Sequence, residues 1–362
     1  MGIEKIDKNF DLRTKIAVGD VKVYDIPSQN FALYGVYFEE RANAFVRMDT
    51  SVAETVSDGV GILSRHTSGG RLCFATDSTT IKIAVEYPVL CAMPHMTLVG
   101  SSGFSLFEET DEGERHIANF APLYTDLKGF SAGANLSGGK MRKYILYFPL
   151  YNQVDRLSIA LDKNAEVVPE KPYRDLAPIL YYGSSITQGG CANRSDHAYQ
   201  TRICKRNKID FINLGFSGAA KAEKEMIAYL SAIKCSLFVC DYDHNAPTAA
   251  YLQETHYPLY EAYRKQNPTT PILFISRPDP YRGNEEGLAR EKIVRGTYQK
   301  AKRNGDKNVY FLSGKSFFGK KGSWNFAVDG CHPTDHGFAV MADKIYKKML
   351  EIDEKFGGGK DD

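Results

Sequence analysis

The 362-residue sequence lacks any run of about 18 apolar residues that could span a bilayer, and its first twenty residues alternate charges with single apolar positions around no hydrophobic signal core. A transmembrane segment is not expected; the cytoplasm, or export with a leader removed, both stay open as localisations. Charge of one sign is also lacking, since 46 Lys plus Arg against 44 Asp plus Glu leave a formal charge of only +2. Such a balance offers no strong field to a nucleic-acid backbone or an anionic lipid surface, so neither nucleic acid nor membrane is expected as a partner. Close cysteine pairs are missing as well. The seven cysteines, Cys73, Cys91, Cys191, Cys204, Cys235, Cys240 and Cys331, form no CxxC, and an odd number cannot all pair within one chain. Reduced thiols are the simpler reading. No internal repeat or low-complexity tract stands out.

The composition itself, 43% hydrophobic and 25% charged, is that of a folded globular protein. Its length exceeds what one core usually requires and implies two domains. From Lys22 to Ala160 apolar and polar residues alternate in short runs, as in Arg71 to Thr76, Ile81 to Val85, His95 to Val99 and Lys143 to Phe148. Period two marks strands with one buried face, so residues 1–165 read as an N-terminal β-sandwich, jelly-roll-like. Asp49 to Ile62 suits either a helix or an irregular connection. Residues 166–176, with Pro169 and Pro172, read as a linker, and 357–362 as a frayed tail.

Between 177 and 356 the pattern changes to strand and helix in turn. The apolar runs Ile179 to Tyr182, Phe211 to Leu214, Leu237 to Asp241, Ile272 to Ser276 and Val309 to Leu312 predict strands. Ala198 to Arg206, Ala219 to Ala232, Ala249 to Gln266, Glu285 to Arg303 and Thr334 to Phe356 predict the covering helices. The result is a doubly wound, flavodoxin-like α/β/α layer on a parallel sheet, with its ligand site beyond the carboxyl ends of the strands. That rule selects the loops 183–196, 215–219, 241–248, 277–287 and 313–333.

The first of these loops holds Gly183-Ser-Ser-Ile-Thr187, a strand running through glycine into two serines and then a helix, where a hydroxyl would lie near unpaired helix amides. A simple turn with an N-cap would look the same. The last loop holds Asp329-Gly-Cys-His332, which offers an imidazole base and a carboxylate to orient it, although a surface Asp beside a packed His is commoner. In order and position these segments, with Asn213-Leu-Gly-Phe-Ser-Gly218 and Asp241-Tyr-Asp-His-Asn245 between them, resemble the four blocks of the SGNH hydrolase superfamily, also called GDSL-type esterases.

The resemblance covers most of Pro178 to the final helix and implies an SGNH hydrolase domain over 177–356. It makes Ser185 the nucleophile, His332 the base and Asp329 its orienting acid. The oxyanion hole falls to the amides of Ser185 and Gly218 and the side-chain amide of Asn245. Ser184 stands where the family has aspartate. Members preceded by a β-sandwich look like carbohydrate esterases, so the expected reaction is hydrolysis of an O-acyl ester, an acetyl group on a carbohydrate foremost, in a small-molecule or oligosaccharide substrate. A noncatalytic carbohydrate-binding protein and a lipase or phospholipid acyl hydrolase are the alternatives.

Gln188, Asn193, Arg194, Tyr281 and Trp324 are pocket candidates, with inert loop packing an equal reading for each. Asp241, Asp243, His244 and Cys331 superficially offer metal ligands. Neighbours on an extended segment point to opposite sides, however, and the hydrolase reading already uses His332. Neither metal nor cofactor is expected, and assembly into a homo-oligomer stays open.

Overall fold

A computed structural model describes residues 20–278, 285–318 and 322–358. The chain forms two compact units, and a single cut does not separate them. Residues 47–64 group with the second unit, and Asn193–Asp196 with the first.

The first unit is β-rich. One antiparallel sheet places Val21–Ile26, Arg156–Asp162, Thr80–Glu86 and Gly129–Asn135 side by side. A second runs Val167–Pro169, Arg71–Thr76, Arg142–Tyr147, Phe104–Thr110 and Gly113–Phe120, with Ala32–Tyr34 also on Arg71–Thr76. Alternation explains the burial: Ile81, Ile83 and Val85 turn inward with Leu157, Ile159 and Leu161, and meet Leu72, Phe74, Leu106 and Leu146 of the other sheet in one cluster. Each such side chain contributes about 1.5–3 kcal/mol on burial.

Two expectations for this half change. His95–Val99 is not a strand, because the Thr97 hydroxyl accepts from the Gly100 amide at 3.2 Å and caps the short helix Leu98–Ser101. Part of the expected linker is strand, since Val167–Pro169 pairs with Arg71–Thr76 at a sheet edge, where proline is tolerated.

The second unit holds five parallel strands in the order Phe211–Gly215, Ile179–Gly183, Leu237–Asp241, Ile272–Ile275, Val309–Leu312. Ile179–Gly183 and Leu237–Asp241 are buried throughout, as expected of a sheet covered on both faces. In chain order this is 2-1-3-4-5, and the direction of winding reverses between Ile179–Gly183 and Leu237–Asp241, a switch point at which α/β sheets open a crevice. Helices Tyr199–Asn207, Lys224–Ala232, Ala249–Gln266, Glu285–Arg303 and Asp335–Ile352 cover the sheet. Thr334 caps the last through the Gly337 amide, and Phe338, Met341, Ala342, Ile345 and Met349 form its buried stripe.

The helix expected from Ala219 starts only at Lys224, because Gly218 and Ala222 take positive φ values of 71° and 56° that no helix accommodates. The undecided segment 49–62 resolves as two helices, Thr50–Val56 capped by Asp49 and Asp58–Leu63 capped by Ser57, with Ala53 and Val60 in the core of the parallel-sheet unit. No helix among the described residues is long and apolar enough to cross a membrane.

Candidate active site

The carboxyl ends of the first three parallel strands are built around two glycines and an acid. Gly183 lies between Gly215 and Asp241 in the register of the sheet. A Cβ on Gly183 would sit 1.6 Å from Asp241 Oδ1 and 2.2 Å from Thr187 Oγ1, and one on Gly215 would sit 2.2 Å from the Gln188 nitrogen. Glycine at both positions lets the chain turn from strand into the short helix Ser185–Gln188 directly against the sheet.

Within that turn the two serines separate. Ser184 is the N-cap, its hydroxyl accepting from the Ile186 amide at 3.2 Å. The Ser185 Oγ lies 2.8 Å from His332 Nε2, and His332 Nδ1 lies 2.7 Å from Asp329 Oδ2. Asp329 Oδ1 accepts from the amides of Cys331 at 3.0 Å and His332 at 2.8 Å, so its loop folds around the carboxylate. Burial alone would raise the Asp329 carboxyl. Hydrogen bonds from the His332 amide and ring, the His332 charge and the Cys331 amide outweigh it and hold the group down to about 2. With Asp329 ionised and accepting a hydrogen bond from Nδ1–H, His332 turns its Nε2 lone pair to the serine hydroxyl.

The loops after Phe211–Gly215 and Leu237–Asp241 hold two further expected residues. Gly218 sits at φ +71° in the turn after Phe211–Gly215, with open space where a Cβ would be. Asn245 Nδ2 donates to the Phe216 carbonyl at 2.8 Å, which uses one of its two hydrogens. Gln188 is fully buried, and its Oε1 accepts from the Ser217 amide at 2.9 Å. It therefore supports this turn from below and presents no surface.

Asn193 and Arg194 group with the β-rich unit, where the Asn193 carbonyl accepts from Thr97 Oγ1 at 2.6 Å. Arg194 pairs with Asp196 at 2.6 Å and lies over the Phe107 ring. Trp324 is exposed on the turn Ser323–Phe326. Tyr281 falls outside the described residues.

The groups read as metal ligands are engaged elsewhere. Asp241 bonds Thr187 Oγ1 and, at 3.2 Å, the Tyr199 hydroxyl; burial raises its carboxyl to about 7. Asp243 Oδ2 accepts from the Arg277 amide at 3.1 Å, and His244 lies between Arg277 and Cys331. Burial raises Cys331 to about 11 and Cys191 to about 12, so both are thiols at neutral pH.

Several supporting residues escape sequence reasoning. Arg47, 3% exposed, donates to the carbonyls of Asn213 and Gly215, both at 2.8 Å, and pins the strand end below the Gly218 turn. Arg290 donates to the carbonyls of Asp243 at 2.5 Å and Ala246 at 2.7 Å, on either side of Asn245. A guanidinium bound to distant backbone carbonyls leaves no pattern in the sequence.

Residues 177–351 match the GDSL-like Lipase/Acylhydrolase family, and residues 21–167 match the N-terminus of SGNH-hydrolase-type esterases. None of the curated proteins compared matches the chain. Among solved structures, a Bacteroides ovatus protein described as a GDSL-like lipase has a TM-score of 0.83 at 26% identity, over 92% of this chain and 98% of its own. The salicylyl-acyltransferase SsfX3 of a tetracycline biosynthetic pathway scores 0.76 at 16% identity, over 92% and 97%. An acetyl xylan esterase, Est2A, from the rumen bacterium Butyrivibrio proteoclasticus scores 0.58 at 12% identity, over 93% and 100%. The last two likenesses are of fold alone. With the matches at 21–167 and 177–351 following one another along the chain, the protein belongs to the SGNH hydrolase superfamily of GDSL-type esterases and is a serine hydrolase of carboxylic ester bonds.

Proposed function

We propose that the protein removes O-acyl groups, acetyl foremost, from a carbohydrate through an acyl-enzyme on Ser185. The observation that carries this reading is the unbroken hydrogen-bonded chain from Asp329 through His332 to Ser185, with links of 2.7 and 2.8 Å. His332 Nε2 takes the hydroxyl proton as Ser185 Oγ attacks the ester carbonyl, and Asp329 stabilises the imidazolium so formed. The oxyanion is held by the amides of Ser185 and Gly218 and by the Asn245 Nδ2 hydrogen that Phe216 does not use. His332 then returns the proton to the departing alkoxide. In deacylation it takes a proton from water as the water oxygen attacks, the acid leaves, and Ser185 regains its hydrogen.

The carbohydrate portion is supported by the fold shared with the acetyl xylan esterase and by Trp324, whose 57% exposure offers an apolar face on which a sugar ring can stack. Turnover of acetylated oligosaccharides should exceed that of long-chain esters and dispersed lipid. A preference for dispersed long-chain lipid would assign the protein to lipid hydrolysis, and glycan binding without turnover would make it a binding protein.

A further inference from the structure

We propose that Arg277, His244 and Cys331 form a positioning relay that ties the Asn245 loop to the Asp329–His332 loop, so that oxyanion donor and base are set relative to each other. The inference rests on the acyl-enzyme reading above and adds to it side chains outside the Asp329–His332–Ser185 chain.

The Asn245 loop is held from outside. Arg290, 6% exposed on helix Glu285–Arg303, clamps the carbonyls of Asp243 and Ala246 and is itself held by Glu286 at 2.9 Å. Asp243 Oδ2 accepts from the Arg277 amide, which ties the same loop to the segment leaving strand Ile272–Ile275. From there Arg277 Nη1 reaches His244 Nδ1 at 2.9 Å, and His244 Nε2 reaches Cys331 Sγ at 2.9 Å.

Donor chemistry fixes the direction of this chain. A guanidinium only donates, so His244 Nδ1 must offer its lone pair to Arg277. Burial, then the nearby Arg277, His332 and Arg290 charges, lowers His244 to about 4, and the ring is neutral at pH 7. Its one proton is therefore on Nε2 and points at the Cys331 sulfur. Cys331 precedes His332 directly, and its amide is one of the two that grip Asp329 Oδ1. The last link is modest, since sulfur is a weak acceptor. The leverage is geometric, because a displacement of about 1 Å in a catalytic group costs on the order of a hundredfold in rate.

His244→Phe keeps the ring and removes both bonds; Cys331→Val keeps the bulk and removes the acceptor; Cys331→Ser restores an acceptor. On an activated acetyl ester, the first two should each lower kcat roughly tenfold with KM nearly unchanged, the double variant should lose no more than either single one, and serine should recover most of the loss. Folded His244→Phe and Cys331→Val proteins with wild-type kcat, or additive losses without rescue by serine, would overturn the relay. Nitrogen NMR of His244 in the unaltered protein needs no variant to fold. It should report a neutral ring protonated on Nε2 at pH 7, and an Nδ1-protonated ring or an imidazolium would overturn the relay equally. Ser185→Ala assayed in parallel separates the two readings: if it abolishes turnover while the relay variants keep wild-type kcat, the relay alone fails, and if turnover survives it the acyl-enzyme fails.

Discussion

Replacing Gly183 by alanine puts a methyl group 1.6 Å from Asp241 Oδ1, 2.2 Å from Thr187 Oγ1 and 2.8 Å from Asp241 Cγ. None of these atoms has free space to move into, since Thr187 has no exposed surface and Asp241 only 5%. Relief requires the carboxyl group to swing away from both Thr187 and Tyr199. Overpacking costs about 1–3 kcal/mol, and each hydrogen bond to a buried carboxyl group about 1–3 kcal/mol more. The terms share one movement and do not simply add, so a destabilisation of about 3–5 kcal/mol is expected. At roughly 2–4 °C per kcal/mol for a unit of this size, Tm should fall by about 10 °C. Activity should fall further than stability, on the order of a hundredfold below Tm, because Thr187 shares the turn with Ser185. Gly296→Ala is the control. Its Cβ would meet nothing within 4 Å in the middle of helix Glu285–Arg303, and it should leave the protein unchanged or more stable by up to about 1 kcal/mol. Thermal unfolding and ester turnover read both variants. A Gly183→Ala protein with Tm within about 2 °C of wild type and full turnover would refute the packing argument.

Burial raises Asp241 to about 7 and Asp243 to about 6 from an ordinary 3.8, so the folded state keeps protons that the unfolded chain has released, and stability should decline as pH rises from about 4 to about 7. Asp241→Asn should make that decline shallower in denaturant titrations; an unchanged slope would contradict it. Asn245→Ala should lower kcat by on the order of 10²–10³ with little change in KM if its free amide hydrogen meets the oxyanion, and an effect confined to KM would count against that role. Extensive chelation, checked by metal analysis, should leave ester turnover intact, whereas loss restored by a single metal would require another mechanism.

The parallel-sheet unit was the more legible half because two periods coincide there: apolar runs of four or five residues for buried strands, and apolar stripes at helical spacing for their covers. Leu237–Asp241, Ala249–Gln266, Glu285–Arg303 and Val309–Leu312 fall on the expected residues. Failures occur where a local bond overrides the pattern. Thr97 caps a helix inside an alternating run, and positive φ at Gly218 and Ala222 delays a helix that composition favours. The helices of 50–63 depend on burying Ala53 and Val60 against residues far along the chain, which no local window records. The same division holds at the site. Ser185, His332 and Asp329 stand out through the resemblance of their segments to the SGNH blocks, whereas Arg47, Arg277 and Arg290 act on groups that become neighbours only on folding.

The account depends above all on which serine is acylated. Ser184 and Ser185 carry the same hydroxyl, yet one caps a helix through the Ile186 amide and the other lies 2.8 Å from His332 Nε2. Mass-spectrometric mapping of a trapped acyl or phosphonyl adduct, with circular dichroism as the folding control, should place the modification on Ser185. It should also find no adduct and almost no turnover in a folded Ser185→Ala protein, while Ser184→Ala still forms the adduct. Modification on Ser184, or undiminished turnover by folded Ser185→Ala, would contradict the nucleophile and the mechanism built on it.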